Sequence, residues 1–217
     1  DARFDDSAHT VAFDGETFWG SAGYFSLERT ARVWNVNIDY NQYSPTFRAD
    51  NGFVTRNSNR VIDIWTGLNF QQNSKLLQRV EPSVGIGRLW DWDGTRKDEW
   101  LVPHLEMQLT GQTFVWAEYL WSRELFRDVW FPGIRRATLG VNGRPSEFFN
   151  FEVSGNVGRF IARSGELAEP VLGEGQNYFL WISLKPTKRL LIEPYIEYSK
   201  LDYPDGGQNI YDFYVAR

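Results

Sequence analysis

The chain has 217 residues, contains no cysteine and carries a formal net charge of −5. A sequence without cysteine has no disulfide, thiolate metal site or cysteine nucleophile, and the negative charge argues against an electrostatic nucleic-acid interface. No run of about 18 apolar residues occurs, so no transmembrane helix is predicted. We expect one domain over residues 1–217, as a processed chain or a segment of a longer protein.

The predicted elements are nearly all β-strands separated by turn signals. A weak strand at 9–13 and a second strand at 18–28 precede the clearest one, at 31–43. Further strands are predicted at residues 59–71, 76–90, 99–109, 113–123, 134–141, 147–161, 176–185, 189–201 and 210–215. The sequence therefore predicts an all-β protein of about 12 strands.

Apolar and polar side chains alternate along the strand at 31–43, and again at 99–109, 147–161 and 189–201. Because successive side chains of a strand point to opposite faces, each strand has one apolar and one polar face. The set predicted to face lipid is Trp34, Val36, Ile38, Tyr40, Leu101, Leu105, Met107 and Leu109. The set predicted to line a wet interior is Asn35, Asn37, Asp39, Asn41, His104, Glu106, Gln108, Asn150, Glu152, Asn156, Glu193 and Glu197.

The solvent that meets the apolar face decides the class of protein. A soluble sandwich buries that face in a core, whereas a membrane barrel turns it to lipid and encloses its polar face around a lumen. Aromatic residues make up 17% of the chain, which is typical of interfacial Trp and Tyr belts and is also compatible with an aromatic-rich soluble core.

The connections between predicted strands alternate in length. Tight turns are predicted near residues 29, 73, 111, 142 and 187, and longer connections near residues 51, 93, 128, 165 and 206. Outer-membrane barrels sort their connections in this way, and strands of about 9–13 residues suit a tilted crossing. We therefore expect an antiparallel transmembrane β-barrel in the bacterial outer membrane, in contact with its lipid.

Three prolines argue against continuous strands at the predicted positions. Pro82, Pro103 and Pro194 interrupt apolar runs, and proline cannot donate a hydrogen bond to a β-ladder. The barrel prediction therefore requires these residues to lie at strand ends, bulges or other gaps in the ladder.

The stretch Tyr43–Arg56, which reads Y-S-P-T-F-R-A-D-N-G-F-V-T-R, resembles a segment of one bacterial family. Proteins of this family join an N-terminal carbohydrate-binding-family-9-like domain to a C-terminal outer-membrane barrel of unassigned function. Asp1–Phe4 is compatible with an upstream barrel strand of that family. The resemblance implies that the chain is the later part of a larger barrel, without the sugar-binding domain, and it implies no catalytic residue.

Candidate catalytic and metal-binding groups are few. His104 shares the polar face with Glu106, but a general base needs a positioned partner and a substrate, so we interpret it as a solvated lumen residue. Asp91-Trp92-Asp93-Gly94 has two spaced carboxylates but lacks the third ligand and terminal Glu of a calcium loop. We interpret it as a turn, and we expect no cofactor, no metal and no enzymatic activity.

The amides and carboxylates of the polar set suit a hydrated interior, and rings of carboxylates favour cations. The alternative is that these carboxylates pair with Arg and Lys and plug the barrel. We predict a passive channel or transport barrel for small polar solutes in a Gram-negative-type envelope. A structural or docking barrel that anchors another envelope protein or a sugar-binding domain is the second hypothesis, and an envelope hydrolase is the third.

Overall fold

A computed structural model describes residues 3–4, 8–10, 15, 17–48, 57–72, 74–163, 169–204 and 208–217. The strands are β1 (Arg3–Phe4), β2 (His9–Thr10), β3 (Ala22–Arg29), β4 (Trp34–Tyr43), β5 (Asn59–Leu68), β6 (Phe70–Gln71), β7 (Leu77–Asp91), β8 (Arg96–Leu109), β9 (Thr113–Phe126), β10 (Val129–Ser146), β11 (Phe149–Ala162), β12 (Val171–Thr187), β13 (Leu190–Ile192), β14 (Tyr195–Asp202) and β15 (Asn209–Ala216). Within these ranges the chain has no helix that is long and apolar enough to cross a membrane.

The strands form one large antiparallel meander and a separate β1–β2 pair. The order along the main sheet is β3-β4-β5-β7-β8-β9-β10-β11-β12-β14-β15, with β6 paired to β7 and β13 paired to β12. The prediction of an all-β antiparallel fold is confirmed. The predicted closure is not seen in the described part of the chain, because edge strands β3 and β15 do not pair and the sheet is open.

The strands of this sheet are staggered. One cross-strand row joins Asn35 on β4 to Asn177 on β12 through directly paired residues of every strand between them. Asn35 is one residue from Trp34, where β4 begins after a short connection, whereas Asn177 is ten residues from Thr187, at the same side of β12. Sheets whose strands tilt relative to a barrel axis show such a stagger.

The hairpin signal Asn142-Gly143 does not form a turn. Asn142 pairs with Phe114 on β9 and Glu152 on β11, so β10 continues to Ser146 and the chain turns at residues 147–148. Gly143 is instead a position of close packing between strands, because a Cβ there would lie 2.8 Å from Thr113 Oγ1. The predicted tight turn at Asn142-Gly143 is therefore wrong.

The predicted loop over residues 124–133 is also wrong. Residues on both sides of Arg127-Asp128 pair across β9 and β10, and these two residues form the turn with φ of 48° and 61°. Both angles are positive, as a type I′ hairpin turn requires. The connection over residues 92–95 is short too, so the sorting of connections by length is weaker than predicted.

Two of the three prolines lie inside long strands, where the ladder is interrupted beside them. Pro103 falls in the one gap of the β8–β9 pairing, between the pairs Leu101–Trp121 and His104–Glu118. Pro82 lies beside the break that separates β5 from β6. A missing N–H is tolerated at such gaps, so these prolines do not oppose a continuous sheet.

The third proline divides a strand that was predicted to be continuous. Residues 189–201 were expected to form one strand, but β13 ends at Ile192 and β14 begins at Tyr195. Glu193 and Pro194 form the break. Glu193 is therefore not on a strand, which corrects its predicted place among the alternating polar positions.

The buried core is small and lies at one end of the sheet. Phe131, Ile134 and Ile161 form its cluster, near the turn over residues 127–128 and the end of β11. Gly158 makes this cluster possible, since it is the last β11 residue paired with β10, with φ of 150°. The end of β11 then leaves β10 and carries Ile161 onto Phe131 and Ile134.

Candidate functional site

The pairing register joins the faces of the strands into two continuous surfaces, because directly opposed residues share a face. All eight residues predicted to face lipid lie on one surface, which we call the apolar face. The residues predicted to line a lumen lie on the other, the polar face, except Glu193. The sequence therefore sorted the two faces correctly, while the pore and lipid roles of these residues stay predictions.

The apolar face is the more exposed of the two. Leu139 on β10 is 63% exposed, Ile86 on β7 49% and Val157 on β11 47%. The buried hydrophobic residues of the described chain are Phe131, Ile134, Ile161, Ala162 and Leu201, and none belongs to the set predicted to face lipid. No second layer of described residues covers this face, as the core of a soluble sandwich would require.

The central part of the apolar face carries no charged residue at its paired positions. From Leu101 to Leu109, for example, its side chains on β8 are Leu, Pro, Leu, Met and Leu. Apart from Arg29 beside the connection between β3 and β4, the charged residues of this face stand toward the end of the sheet that carries the connections over residues 92–95 and 127–128. They include Arg60, Arg88, Glu99, Arg123, Arg135, Lys200, Asp202 and Asp212.

Asp202 of this charged border joins an ion pair within β14 to a hydrogen bond across the last hairpin. Lys200 Nζ lies 2.8 Å from Asp202 Oδ2, and Asn209 Nδ2 donates to Asp202 Oδ1 at 3.0 Å. The hydrogen bond from Lys200 and then the one from Asn209 hold the pKa of the Asp202 carboxyl below its usual value. Asp202 therefore stays ionised at the start of the connection to β15.

A row of polar side chains crosses the polar face from β7 to β14. Its members are Ser83, His104, Glu118, Thr138, Asn156, Asn177 and Ser199. Thr138 Oγ1 donates to Glu118 Oε1 at 3.2 Å, and Asn177 Nδ2 donates to Asn156 Oδ1 at 2.9 Å. Ser199 donates to Asn177 as well. The row gives the polar face a continuous track of hydrogen-bonding groups across the sheet.

His104 has a hydroxyl partner that the sequence did not reveal. Ser83 Oγ lies 3.3 Å from His104 Nδ1, and Glu118 is paired with His104 across the strands. The carboxylate of Glu118 accepts from Thr138 instead, so these three residues do not make the serine–histidine–acid chain of hydrogen bonds that a triad needs. The geometry therefore fits a hydrogen-bonding row better than a nucleophilic site.

Carboxylates outnumber cations on the polar face. Ten of them lie at paired positions of β4 to β14, namely Asp39, Asp63, Glu81, Asp91, Asp98, Glu106, Glu118, Glu124, Glu152 and Glu197. Arg79 forms ion pairs with two, at 3.3 Å to Glu81 and 3.2 Å to Glu106. Others accept from neutral donors, as Asp63 does from Trp100 Nε1 at 3.1 Å. Neutral donors leave the negative charge in place.

Tryptophans lie over glycines on the same face. The rings of Trp100 and Trp116 cover Gly87 and Gly140, where a Cβ would come within 2.1 Å of each ring. Trp65 covers Gly85 in the same way and lies 5.7 Å from the His104 ring. Glycine is required at these positions because each indole lies flat on the neighbouring strand. The polar face is thus a mixture of carboxylates, amides and large rings.

The alternation along single strands could not locate Ser83, Asp63 or Glu118, because their place in the site depends on which residue each one opposes. In the described ranges, no three His, Asp or Glu side chains converge as a metal-binding group. Comparisons with protein-family models, curated proteins and solved structures found no match for this chain. The family resemblance of residues 43–56 stays a prediction, and residues 49–56 lie outside the described ranges.

Proposed function

We propose that the sheet is the wall of an outer-membrane β-barrel whose polar face lines a path for small polar solutes. The observation that carries this proposal is that the apolar face is more exposed than the polar face, and that no second layer of described residues covers it. Leu101–Leu109 rises about 26 Å along its strand, which compares with an apolar band of about 25 Å in outer-membrane barrels before allowance for tilt. In a bilayer the edges of β3 and β15 must also be paired, with each other or with further strands, because unpaired backbone groups are costly in hydrocarbon.

The charge of the polar face supports a preference for cations. Asp39, Asp63 and Glu118 accept hydrogen bonds from neutral donors at Tyr24, Trp100 and Thr138, so no cation offsets them at these contacts. Rings of carboxylates around a pore raise the local concentration of cations and repel anions. The proposed path therefore favours small cationic or neutral polar solutes over anions.

A structural or docking barrel is the second candidate, and the large rings of the polar face favour it. Trp65, Trp100 and Trp116 occupy space on that face, and Arg79 bridges two carboxylates there. Side chains of this size fill the interior of small barrels. On this reading the barrel anchors another envelope protein without conducting.

Conductance in a planar bilayer distinguishes the two candidates. The purified protein is expected to need detergent, to show heat-modifiable gel mobility and to give stepwise currents with a reversal potential that favours K⁺ over Cl⁻. Asp63→Asn combined with Glu118→Gln is expected to move that reversal potential toward zero, because two negative charges leave the path. Asp212→Asn, on the apolar face, is the matched control and is expected to leave it unchanged.

Three results would contradict parts of this proposal. Folded protein that gives no current would remove the transport function and leave the docking barrel. An equal shift with Asp212→Asn would show that overall charge, and not the polar face, sets the selectivity. A monodisperse monomer without detergent would remove the membrane assignment altogether.

A further inference from the structure

A groove of about 680 Å³ opens on the apolar face where β5, β7, β8, β9 and β10 approach the end of the sheet that carries the connections over residues 92–95 and 127–128. Its floor is apolar, with Ile62, Ile64, Ile86 and Leu101. Its rim is basic, with Arg88, Arg96, Arg123 and Arg135, and Glu99 is the carboxylate among the lining residues. The groove therefore combines an apolar surface with a cluster of guanidinium groups.

The rim has an excess of positive charge. Glu99 accepts from Arg88 Nε at 2.8 Å and from Arg96 Nη1 at 3.4 Å, so one carboxylate is shared by two arginines. Arg123 and Arg135 are exposed, and neither forms an ion pair or hydrogen bond through its guanidinium with another described residue. Two guanidinium groups are thus available to an anion.

Rim and floor are adjacent on the same strands. Arg88 is opposite Ile62 on β5 and two residues from Ile86, and Glu99 is two residues from Leu101. Arginine side chains lay their methylene stems on apolar surface and keep the charged head at its border. A molecule with an anionic head and an apolar chain therefore contacts rim and floor together.

We propose that this groove binds an anionic lipid. The lipid phosphate binds Arg123 and Arg135, since guanidinium groups bind phosphate oxygens through paired hydrogen bonds, and an acyl chain lies along Ile86 and Leu101. Inorganic phosphate would contact the arginines but leave the apolar floor uncovered. A lipid contacts both, so the groove fits a lipid. This inference rests on the proposed membrane location, and it adds a specific lipid to it.

Lipid binding is tested by native mass spectrometry of the protein in dodecyl maltoside micelles, with phosphatidylglycerol and phosphatidylcholine of identical acyl chains. Phosphatidylglycerol is expected to bind about tenfold more tightly or better, because both headgroups carry a phosphate but only phosphatidylcholine also carries a cation, which the guanidinium groups of the rim repel. Arg123→Gln with Arg135→Gln is expected to abolish this preference. Arg123→Lys with Arg135→Lys is expected to keep part of it, since the charge remains but the paired hydrogen bonds do not.

The matched control is Arg144→Gln with Arg189→Gln, which removes two exposed arginines at the opposite end of the sheet and is expected to keep the preference. Equal binding of the two lipids, or an equal loss in the control, would overturn the proposal. Displacement of the lipid by millimolar inorganic phosphate would also overturn it, in favour of a free-anion site. Protein that folds in detergent without discriminating the lipids refutes only this site, whereas protein that needs no detergent refutes the membrane assignment itself.

Discussion

Leu139→Arg is expected to cost about 2–4 kcal/mol of folding free energy in a lipid bilayer, the cost of an arginine on the lipid face of a barrel near the midplane. Leu139 lies in the middle of β10 and is 63% exposed on the apolar face. If this face met water, the same substitution would be nearly neutral, because an exposed leucine has little to lose there. The size of the stability loss therefore shows whether lipid or water meets the apolar face.

The measurement is a urea titration of protein folded in phosphatidylcholine vesicles, followed by tryptophan fluorescence. Leu139→Trp is expected to retain near-native stability, because lipid accommodates a larger ring, whereas a packed protein contact loses about 1–3 kcal/mol to excess volume. Thr138→Arg, at the adjacent residue on the polar face, places the same cation beside Glu118 and is expected to cost little. Equal damage from Trp and Arg at position 139 would show that protein, and not lipid, covers this face.

Gly158→Ala is expected to lower stability by about 3 kcal/mol or more, which combines the overpacking cost with that of a strained backbone conformation. The residue has φ of 150°, and a Cβ there would come 2.0 Å from the carbonyl oxygen of Arg135. Backbone cannot move aside as a flexible side chain can. The cluster of Phe131, Ile134 and Ile161 is then lost, because the end of β11 no longer reaches it.

Gly155→Ala is the matched control on the same strand. Its Cβ would meet Tyr178 Cδ1 at 2.7 Å, but a tyrosine ring rotates away, so a loss of about 1 kcal/mol or less is expected. The same urea titration measures both variants. A small effect at position 158, equal to that at position 155, would show that the departure of β11 from β10 does not depend on this glycine.

The sequence predicted the two faces well because alternation is a local property of each strand. The faces of Trp34 to Tyr40 and of Leu101 to Leu109 could be assigned without knowing which strands lie beside them. Turn chemistry was a weaker guide: Asn142-Gly143 carries a strong hairpin signal, but pairing on both sides keeps it in β10. Conversely, Arg127-Asp128 forms a type I′ turn without the glycine or asparagine that usually marks one.

The candidate site was predictable only in part, because it depends on register. Ser83 lies beside His104, and Trp100 reaches Asp63, only because particular residues of different strands are opposed. No spacing within one strand carries that information. The groove depends on register in the same way, since Arg88, Glu99 and Arg123 form one cross-strand row on β7, β8 and β9.

The open meander has a consequence for the order in which the chain folds. In the described sheet each strand pairs with strands that are close to it in sequence. Each pairing step therefore closes a short segment of chain, and the cost in loop entropy is small. Assembly can therefore advance hairpin by hairpin along a growing edge. Until that edge meets β3 or another strand, its free N–H and C=O groups remain a template for unrelated chains. We expect the unfinished sheet to depend on a holding chaperone, more than its short-range topology alone would require.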